Sequence, residues 1–493
     1  VALPSGPHAG TFEEASDMSI LLFIVALASA WLTYNVGHPL TGGPKRTFIS
    51  FMAGWLWGEL ALHAIAAGAL VTLLLIWNGA LSGLAGKVGL LIMIASWVAM
   101  ARGYRLSDQA APAAERALAK GLGSDYQGEI EPELASKLEH GVRWDAIARP
   151  FRFRRPEVEC ERNILFGRER GVNLRLDVYR NRSHRGSCPV LLQIHGGGWV
   201  IGDKREQALP LMNQMAAHGW VCVSANYRLS PHATFPEHII DVKRAMAWIK
   251  EHVEEYGGDP DFIVVTGGSA GGHLAALMGL TANDPEFQPG FEDVDTSVQA
   301  AIPFYGVYDL LDRDGLRKDG GLGELLETKV MKGSIEEIPE LYAKGSPVDR
   351  IHSEAPPFCI IHGGCDSLVP VEGARGFAQA LASTSASQVV CAEIPGGQHA
   401  FEIFHSLRSQ AVTDAAERFA DWAYSAYLRR RRAGETPEEL ATTGEETGGA
   451  SQASGESENA AQALGDAGEV SASEERRAEA SAAKLKVVKP LAS

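Results

Sequence analysis

Three residues of this chain have the types and the order that nucleophilic acyl transfer requires. Ser269 lies in a G-x-S-x-G pattern between an apolar run and a helical pattern. A serine at such a strand-to-helix turn is exposed above the sheet, with a helix N-terminus facing the developing negative charge. Asp366 and His399 each follow a later apolar run. This order predicts a catalytic triad with Ser269 as nucleophile, His399 as base and Asp366 as the acid that orients it.

A run of glycines upstream of Ser269 is the second chemical feature. His195, Gly196, Gly197, Gly198 and Trp199 directly follow a predicted strand. Acyl transfer through a tetrahedral intermediate needs backbone N–H donors close to the new oxyanion, and consecutive glycines allow that approach. The alternative is a flexible glycine turn without a chemical role. With the serine motif downstream, we expect an oxyanion hole here.

Several neighbouring residues are expected to support the site rather than to react. We expect His195 to hold the glycine loop by hydrogen bonds, and Asp241 to support that loop from a helix start. His273 is expected beside the serine turn, where it either packs or contacts substrate. Trp199 either lines the acyl pocket or packs in the core. These residues and Gly196 are candidates for the surroundings of the site.

The elements that would position these residues follow the pattern of an α/β domain. Apolar runs alternate with helical patterns, which is typical of a mainly parallel sheet covered by helices on both faces. The predicted strands are Val158–Phe166, Val172–Tyr179, Pro189–Ile194, Trp220–Ala225, Phe262–Thr266, Phe358–Ile361 and Val389–Ile394. Each candidate catalytic residue follows one of them.

From about Glu157 to Tyr427 the sequence resembles the α/β-hydrolase esterases. It is most similar to the hormone-sensitive-lipase-like group and the plant isoprenylcysteine methylesterases. The blocks that carry the resemblance are HGGGW at 195–199, NYRLSP at 226–231, DPD at 259–261, GGSAGGHLA at 267–275 and HGGCDSLVP at 362–370. The resemblance covers a little over half of the chain. It implies an α/β-hydrolase fold, with oxyanion donors at Gly197, Gly198 and Ala270.

The resemblance also implies an activity. We expect a serine hydrolase that cleaves carboxylic esters, of small molecules or of lipids, through an acyl-enzyme and without a cofactor. The lipase-like group usually has Asp where this chain has Gly268, and Asn is common where it has His273, so the site is more similar to the methylesterase, feruloyl-esterase-like and formamidase branches. An amidase, formamidase or peptidase on the same scaffold is an alternative. A non-catalytic binding protein is disfavoured because no triad member is missing.

Composition excludes several other classes. The 45 basic and 61 acidic residues give a net charge of −16, which disfavours a nucleic-acid partner. Six cysteines scattered over 493 residues do not form a disulfide framework. The His and Cys spacings match no zinc motif, so we expect no metal. Nothing in the sequence indicates an oligomeric state.

The first 105 residues are predicted to be a membrane region. Three apolar segments, at about 18–36, 54–77 and 84–101, are each close to the 20 or so residues that span a hydrocarbon core. Glu59 and His63 lie on one face of the second segment, where we expect helix packing rather than transport. A cleaved signal peptide ending near Ala30 is the alternative for the first segment.

Basic residues predict the orientation of this region. Lys45 and Arg46 follow the first segment and Arg102 and Arg105 follow the third, whereas the intervening loop carries only Lys87. The positive-inside rule then places the N-terminus outside and the catalytic domain in the cytoplasm. We expect an integral, multi-pass protein, in the plasma membrane of a bacterium.

The rest of the chain is expected to form three parts. Residues 106–150 are predicted to be a connector of short surface helices, and residues 151–432 the catalytic domain. Within that domain, 310–347 is either a cap over the site or a surface insertion. Residues 433–493 hold 12 acidic and five basic residues and no aromatic residue, which predicts a disordered tail.

Overall fold

The computed structural model describes residues 12–40, 42–139, 141–183, 186–317 and 321–434. The predicted tail beyond residue 434 lies outside the described residues. The described part contains an eight-stranded sheet, helices on both of its faces and a group of apolar helices at its N-terminal end.

The sheet is mainly parallel. Its strands are β1 (Val158–Glu169), β2 (Val172–Asn181), β3 (Cys188–Ile194), β4 (Val221–Ala225), β5 (Gly258–Gly268), β6 (Ala300–Phe304), β7 (Phe358–Gly363) and β8 (Val389–Ile394). Their order is β1-β2-β4-β3-β5-β6-β7-β8, with only the β1–β2 and β2–β4 pairs antiparallel. This architecture confirms the predicted fold class. The sequence analysis missed β6, because Pro303 interrupts its apolar run.

Helices cover both faces of the sheet. They are α5 (Ala110–Leu122), α6 (Pro132–Ala135), α7 (Trp144–Ile147), α8 (Leu209–Ala217), α9 (Glu237–His252), α10 (Ala270–Leu280), α11 (Gly321–Leu325), α12 (Pro339–Lys344), α13 (Val371–Thr384) and α14 (Leu407–Ala433). Side chains from α9, α10 and α13 form the core on one face. Those from α5, α8 and α14 form the core on the other.

The connector differs from its prediction. Its main helix, α5, is not a surface helix, because Ala110, Ala114 and Leu118 are buried in the core beside α14 and β8. At Gly121 a Cβ would lie 2.7 Å from the backbone oxygen of Val389. Small residues such as Ala110, Ala114 and Gly121 therefore allow α5 to lie directly on the sheet.

Four apolar helices form the N-terminal region: α1 (Phe12–Gly37), α2 (Pro44–Glu59), α3 (Ala61–Trp77) and α4 (Leu84–Tyr104). Helices α1 and α4 are long and apolar enough to cross a membrane and pack against each other. The second predicted segment is not one straight helix. It consists of α2 and α3, which meet at a bend of 90°.

The bend between α2 and α3 has a local cause. Leu60 leaves helical geometry, with φ −97° and ψ 25°. The preceding residue, Glu59, is bonded to Arg408 and Ser406 of the catalytic domain. Because α2 is bound to that domain and α3 packs against α4, the chain turns between them. Packing among the apolar helices was expected for Glu59, but its partners are Arg408 and Ser406 of the catalytic domain, which the sequence analysis did not predict.

Candidate active site

Ser269 lies between the end of β5 and the start of α10. Its backbone has φ 58° and ψ −120°, a combination that a side-chain-bearing residue rarely adopts. The turn is possible because its flanking glycines approach the backbone of β3. A Cβ on Gly267 would lie 2.6 Å from the Ile194 carbonyl oxygen, and one on Gly271 would lie 2.1 Å from the same atom. The result is the sharp turn predicted for a nucleophilic serine.

Strand register brings the candidate residues to one edge of the sheet. Ile194 of β3 pairs with Gly267 of β5, and Gly363 of β7 pairs with Ile394 of β8. His195 and Ser269 follow the first pair, and the loops with Asp366 and His399 follow the second. Because these strands are parallel, their carboxyl ends meet at the same edge, which is where an open α/β sheet forms its site.

Asp366 and His399 are joined by a direct hydrogen bond. His399 Nδ1 lies 2.7 Å from Asp366 Oδ2, and the Asp366 side chain is fully buried. Since the carboxylate can only accept, Nδ1 is the donor of this bond, and Nε2 is the ring atom that carries the lone pair in the neutral imidazole. This is the tautomer that a general base requires.

Asp366 is held in its charged form. Its Oδ1 accepts hydrogen bonds from the backbone N–H groups of Leu368 and Val369, at 2.9 and 2.8 Å. His362 Nε2 lies 3.3 Å from Oδ2, the same oxygen that His399 contacts. Burial opposes the charge, but His399 and His362 outweigh it and hold the pKa of Asp366 well below its usual range. The sequence analysis had not assigned His362 to the site.

The loop that carries Asp366 and the loop that carries His399 are fixed to each other by the Gln398 side chain and by a close backbone contact. Gln398 Oε1 accepts from the N–H of Ser367 at 2.7 Å and from the N–H of His399 at 2.9 Å. A Cβ on Gly363 would lie 2.4 Å from the backbone oxygen of Gly397. The Asp–His pair is therefore positioned by rigid elements on both sides.

The glycine loop has backbone conformations that favour glycine. Gly197 and Gly198 have φ of 107° and 59°, a region that favours glycine. Among the described residues, none accepts a hydrogen bond from the backbone N–H groups of Gly197, Gly198 or Ala270. A Cβ on Gly196 would lie 2.5 Å from the carbonyl oxygen of Gly268, so the loop lies directly against the serine turn.

His195 and Asp241 lie behind the glycine loop. The His195 ring stacks on Tyr227 at 4.4 Å, and Tyr227 donates to the His195 backbone oxygen. Asp241 binds Arg228 through both carboxylate oxygens, at 2.7 Å. Asp241 therefore supports the segment that carries Tyr227, one step further from the loop than predicted.

Trp199 and His273 connect the loop to the predicted cap. Both side chains are buried, with their rings edge to face at 5.1 Å. His273 Nε2 lies 2.7 Å from the Gly345 carbonyl oxygen, and burial lowers the pKa of His273 to about 4. On the same segment, Leu325 Cδ2 would lie 3.1 Å from a Cβ on Gly198. Residues 310–347 therefore border the glycine loop.

Tyr305 and Glu402 are neighbours of the site that sequence analysis missed. The Tyr305 ring lies 4.6 Å from the ring of His399, and its hydroxyl donates to Glu402. A Cβ on Gly268 would lie 2.6 Å from that hydroxyl, so Tyr305 contacts both the base and the residue before Ser269. Burial raises the pKa of Glu402 to about 7. Recognition of β6 would have pointed to Tyr305, which follows it.

A second missed neighbour comes from the apolar N-terminal region. Phe51 of α2 is buried, and its ring meets the His399 ring edge to face at 6.0 Å. One turn along the same helix, Trp55 Nε1 donates to the Ala400 carbonyl oxygen at 2.8 Å. No motif signals these contacts, because they join segments more than 300 residues apart.

The α/β domain is similar to several proteins that are named as esterases. Residues 176–381 match the family model BD-FAE. The probable carboxylic ester hydrolase LipM of Mycobacterium tuberculosis is 51% identical over 265 residues, which are 53% of this chain and 61% of LipM. The probable isoprenylcysteine alpha-carbonyl methylesterase ICMEL1 of Arabidopsis thaliana is 29% identical over 45% of this chain and 47% of its own length. Esterase 2 of Thermogutta terrifontis has a solved structure that is 28% identical, with a TM-score of 0.44, over 54% of this chain and 93% of that one.

The chain therefore carries an α/β-hydrolase domain homologous to LipM and to the isoprenylcysteine methylesterases, and the predicted resemblance is confirmed. The matched regions span about half to three fifths of the length of these curated relatives. The region that matches the family model includes β3 to α10, with the glycine loop and the serine turn. It also includes the loop after β7 that carries Asp366.

Proposed function

We propose that this chain is a membrane-anchored serine hydrolase that cleaves carboxylic esters through an acyl-enzyme. The observation that supports this best is the buried Asp366–His399 hydrogen bond, at 2.7 Å, on the sheet edge that carries Ser269 in a sharp turn. Homology to LipM, a probable carboxylic ester hydrolase, supports an ester rather than an amide as substrate.

The proposed reaction uses each of these groups in turn. His399 Nε2 takes the proton of Ser269 Oγ as the oxygen attacks the ester carbonyl carbon. The N–H groups of Gly197, Gly198 and Ala270 stabilise the negative oxygen of the tetrahedral intermediate. The C–O bond to the alcohol then breaks, and His399 returns its proton to that alcohol. Water, activated by the same base, hydrolyses the acyl-enzyme and releases the carboxylic acid.

Membrane anchoring is supported by the connectivity of the helices. Helix α2 follows α1 and is bonded to the catalytic domain, which itself follows α4. The C-terminal ends of α1 and α4 therefore lie on the same side. If α1 and α4 both cross a bilayer, α3 must cross it as well. Without a crossing by α3, α2 and the catalytic domain would lie on opposite sides of the membrane. With 17 residues, α3 is roughly 26 Å long, close to the thickness of a hydrocarbon core.

The proposal is tested with the full chain in liposomes and a series of p-nitrophenyl esters from acetyl to palmitoyl. We expect hydrolysis by wild type and loss of at least about 10³-fold in Ser269→Ala, since the nucleophile is removed. Acyl p-nitroanilides of the same chain lengths test the amide alternative. Faster cleavage of anilides than of esters, or ester cleavage that Ser269→Ala leaves intact, would contradict the proposal.

A further inference from the structure

One face of α2 forms part of the surroundings of His399. Phe51, Trp55 and Glu59 are spaced four residues apart and all contact the catalytic domain. Phe51 lies at the edge of the His399 ring, while Tyr305 contacts the same ring at 4.6 Å. The base is thus enclosed partly by the catalytic domain and partly by the N-terminal region. A mere anchor would need no contact with the base.

The neighbouring face of α2 is packed tightly on α1. A Cβ on Gly54 would lie 2.7 Å from the backbone oxygen of Asn35, and one on Gly58 would lie 3.4 Å from Val36. Ser50 donates to the Asn35 side chain at 2.5 Å. Because α2 is held between α1 and the catalytic domain, the position of Phe51 beside His399 is fixed by the fold.

The N-terminal end of α2 reaches the opposite border of the site. A Cβ on Gly321 would lie 2.7 Å from the Pro44 side chain, so α2 contacts the segment whose Leu325 lies against Gly198. Beside this contact, Phe48 and Ile49 are 55% and 57% exposed, and Lys45 and Arg46 are exposed as well. Exposed apolar side chains next to basic ones are typical of a helix lying in a membrane interface.

The bend between α2 and α3 also favours an orientation in which α2 lies along the membrane surface. With α3 crossing the bilayer, a helix at 90° to it lies parallel to the membrane surface. Lys45 and Arg46 would then face anionic headgroups, and Phe48 and Ile49 the acyl boundary. The border of the active site that α2 forms is therefore the border nearest to the lipid.

We propose that α2 is part of the substrate-binding site and that Phe51, beside His399, determines which acyl-chain length is preferred. The substrate is a bilayer-resident ester with a long hydrocarbon chain, and it enters the site along α2. This proposal rests on the proposed ester hydrolysis. It assigns the N-terminal region a role in specificity in addition to attachment.

The role of Phe51 is tested in the full chain by measuring kcat/KM for p-nitrophenyl acetate, octanoate and palmitate. In Phe51→Ala we expect the palmitate-to-acetate ratio to change by about 10-fold or more, the size of effect that a pocket contact gives. Phe51→Trp, which keeps an aromatic contact and fills more space, is expected to shift preference toward shorter chains. Phe151→Ala is the matched control: Phe151 is 64% exposed and contacts Phe404, and the ratio should stay within about twofold of wild type.

An unchanged ratio in both Phe51 variants would overturn the role of Phe51. Phe51→Trp keeps the test valid if Phe51→Ala does not fold. Absence of ester hydrolysis in wild type, together with no labelling of Ser269 by a fluorophosphonate, is a different result and would count against the proposed function itself.

Entry from the bilayer has its own test on wild-type protein in liposomes. A long-chain diacylglycerol is held at constant bulk concentration while it is diluted with a non-hydrolysable ether lipid. We expect the rate to fall in proportion to the mole fraction of the ester in the membrane. A rate that follows the bulk concentration alone would contradict entry along α2.

Discussion

Glu59 of α2 and Arg408 of α14 form an ion pair of 2.9 Å across 349 residues of sequence. Both side chains are almost fully buried, at 2% and 3% exposure, and Glu59 also accepts a hydrogen bond from Ser406. The pair joins the apolar N-terminal region to the loop-and-helix segment that follows His399. It makes the two regions one structural unit.

Removal of one charge from this pair is expected to destabilise the protein strongly. In Glu59→Gln the buried guanidinium of Arg408 loses its counterion, which costs roughly 3–5 kcal/mol. We expect the apparent melting temperature of the detergent-solubilised chain to fall by about 3–6 °C. The control is Glu393→Gln, which removes a carboxylate from an exposed pair with Arg375 and should change stability little. Equal effects of the two substitutions would contradict the buried role of Glu59.

Asp366, the proposed acid of the triad, is expected to matter more for catalysis than His362, its second histidine neighbour. Asp366→Asn leaves the packing intact but disfavours the tautomer in which His399 Nε2 accepts a proton, so kcat should fall by roughly 10³–10⁴-fold. In His362→Gln, Asp366 keeps His399 and two backbone donors, and we expect a loss of at most about 10-fold. Esterase kinetics with circular dichroism as the folding check separate the two. An Asp366→Asn enzyme within 10-fold of wild type would exclude this residue as the triad acid.

Gly268 is expected to be intolerant of any side chain because Tyr305 occupies the space. In Gly268→Ala the new Cβ would lie 2.6 Å from the Tyr305 hydroxyl and 3.0 Å from two ring carbons, so Tyr305 must shift against His399. We expect kcat to fall by about 10-fold or more, since misplacement of a catalytic group is costly. Gly376→Ala on α13, where nothing lies within 4 Å of the new Cβ, is the matched control and should keep wild-type kcat. Wild-type activity in Gly268→Ala would show that Tyr305 does not set the position of the base.

The buried ion pairs of His218 are expected to make the folded protein less stable at alkaline pH. Burial opposes its charge, but hydrogen bonds to Glu139 and Glu417 outweigh burial and raise the pKa of His218 to about 9. Because this value lies above the unfolded value near 6.5, the stabilisation is fully present below about pH 6.5 and is lost as the pH rises through about 9.

Thermal unfolding at pH 6, 7.5 and 9.5 tests the His218 prediction. The melting temperature should decline less with rising pH in His218→Gln than in wild type. The same substitution at the partly exposed His252 should keep the wild-type slope. If wild type and His218→Gln lose stability in parallel between pH 6 and 9.5, the ion-pair account of His218 is wrong.

The fold and the candidate triad follow from local patterns in the sequence. The serine turn at 267–271 and the glycine loop at 195–199 are short motifs with strict backbone requirements, and Asp366 and His399 each follow a recognisable strand. The edge of a parallel sheet then brings them together without further information. Their roles as catalytic and oxyanion-binding residues stay predictions until the reaction is measured.

The rest of the site depends on contacts between distant segments, which periodicity does not reveal. Tyr305 was missed because its strand is short and contains a proline. The contacts of Phe51 and Glu59 were missed because an uninterrupted apolar stretch predicts one straight span, whereas bonds to Arg408 and Ser406 bend it into two helices. Tertiary contacts outweighed the local helix pattern at that point.

The site of covalent labelling by a fluorophosphonate, determined by peptide mass spectrometry on the full chain, tests the central claim most directly. A fluorophosphonate reacts with a serine that a neighbouring base has activated, so it reports the nucleophile independently of the natural substrate. The account predicts a single adduct on the peptide that contains Ser269, strongly slowed in Asp366→Asn and absent in Ser269→Ala. An adduct on another serine, or full labelling of Ser269→Ala, would contradict it.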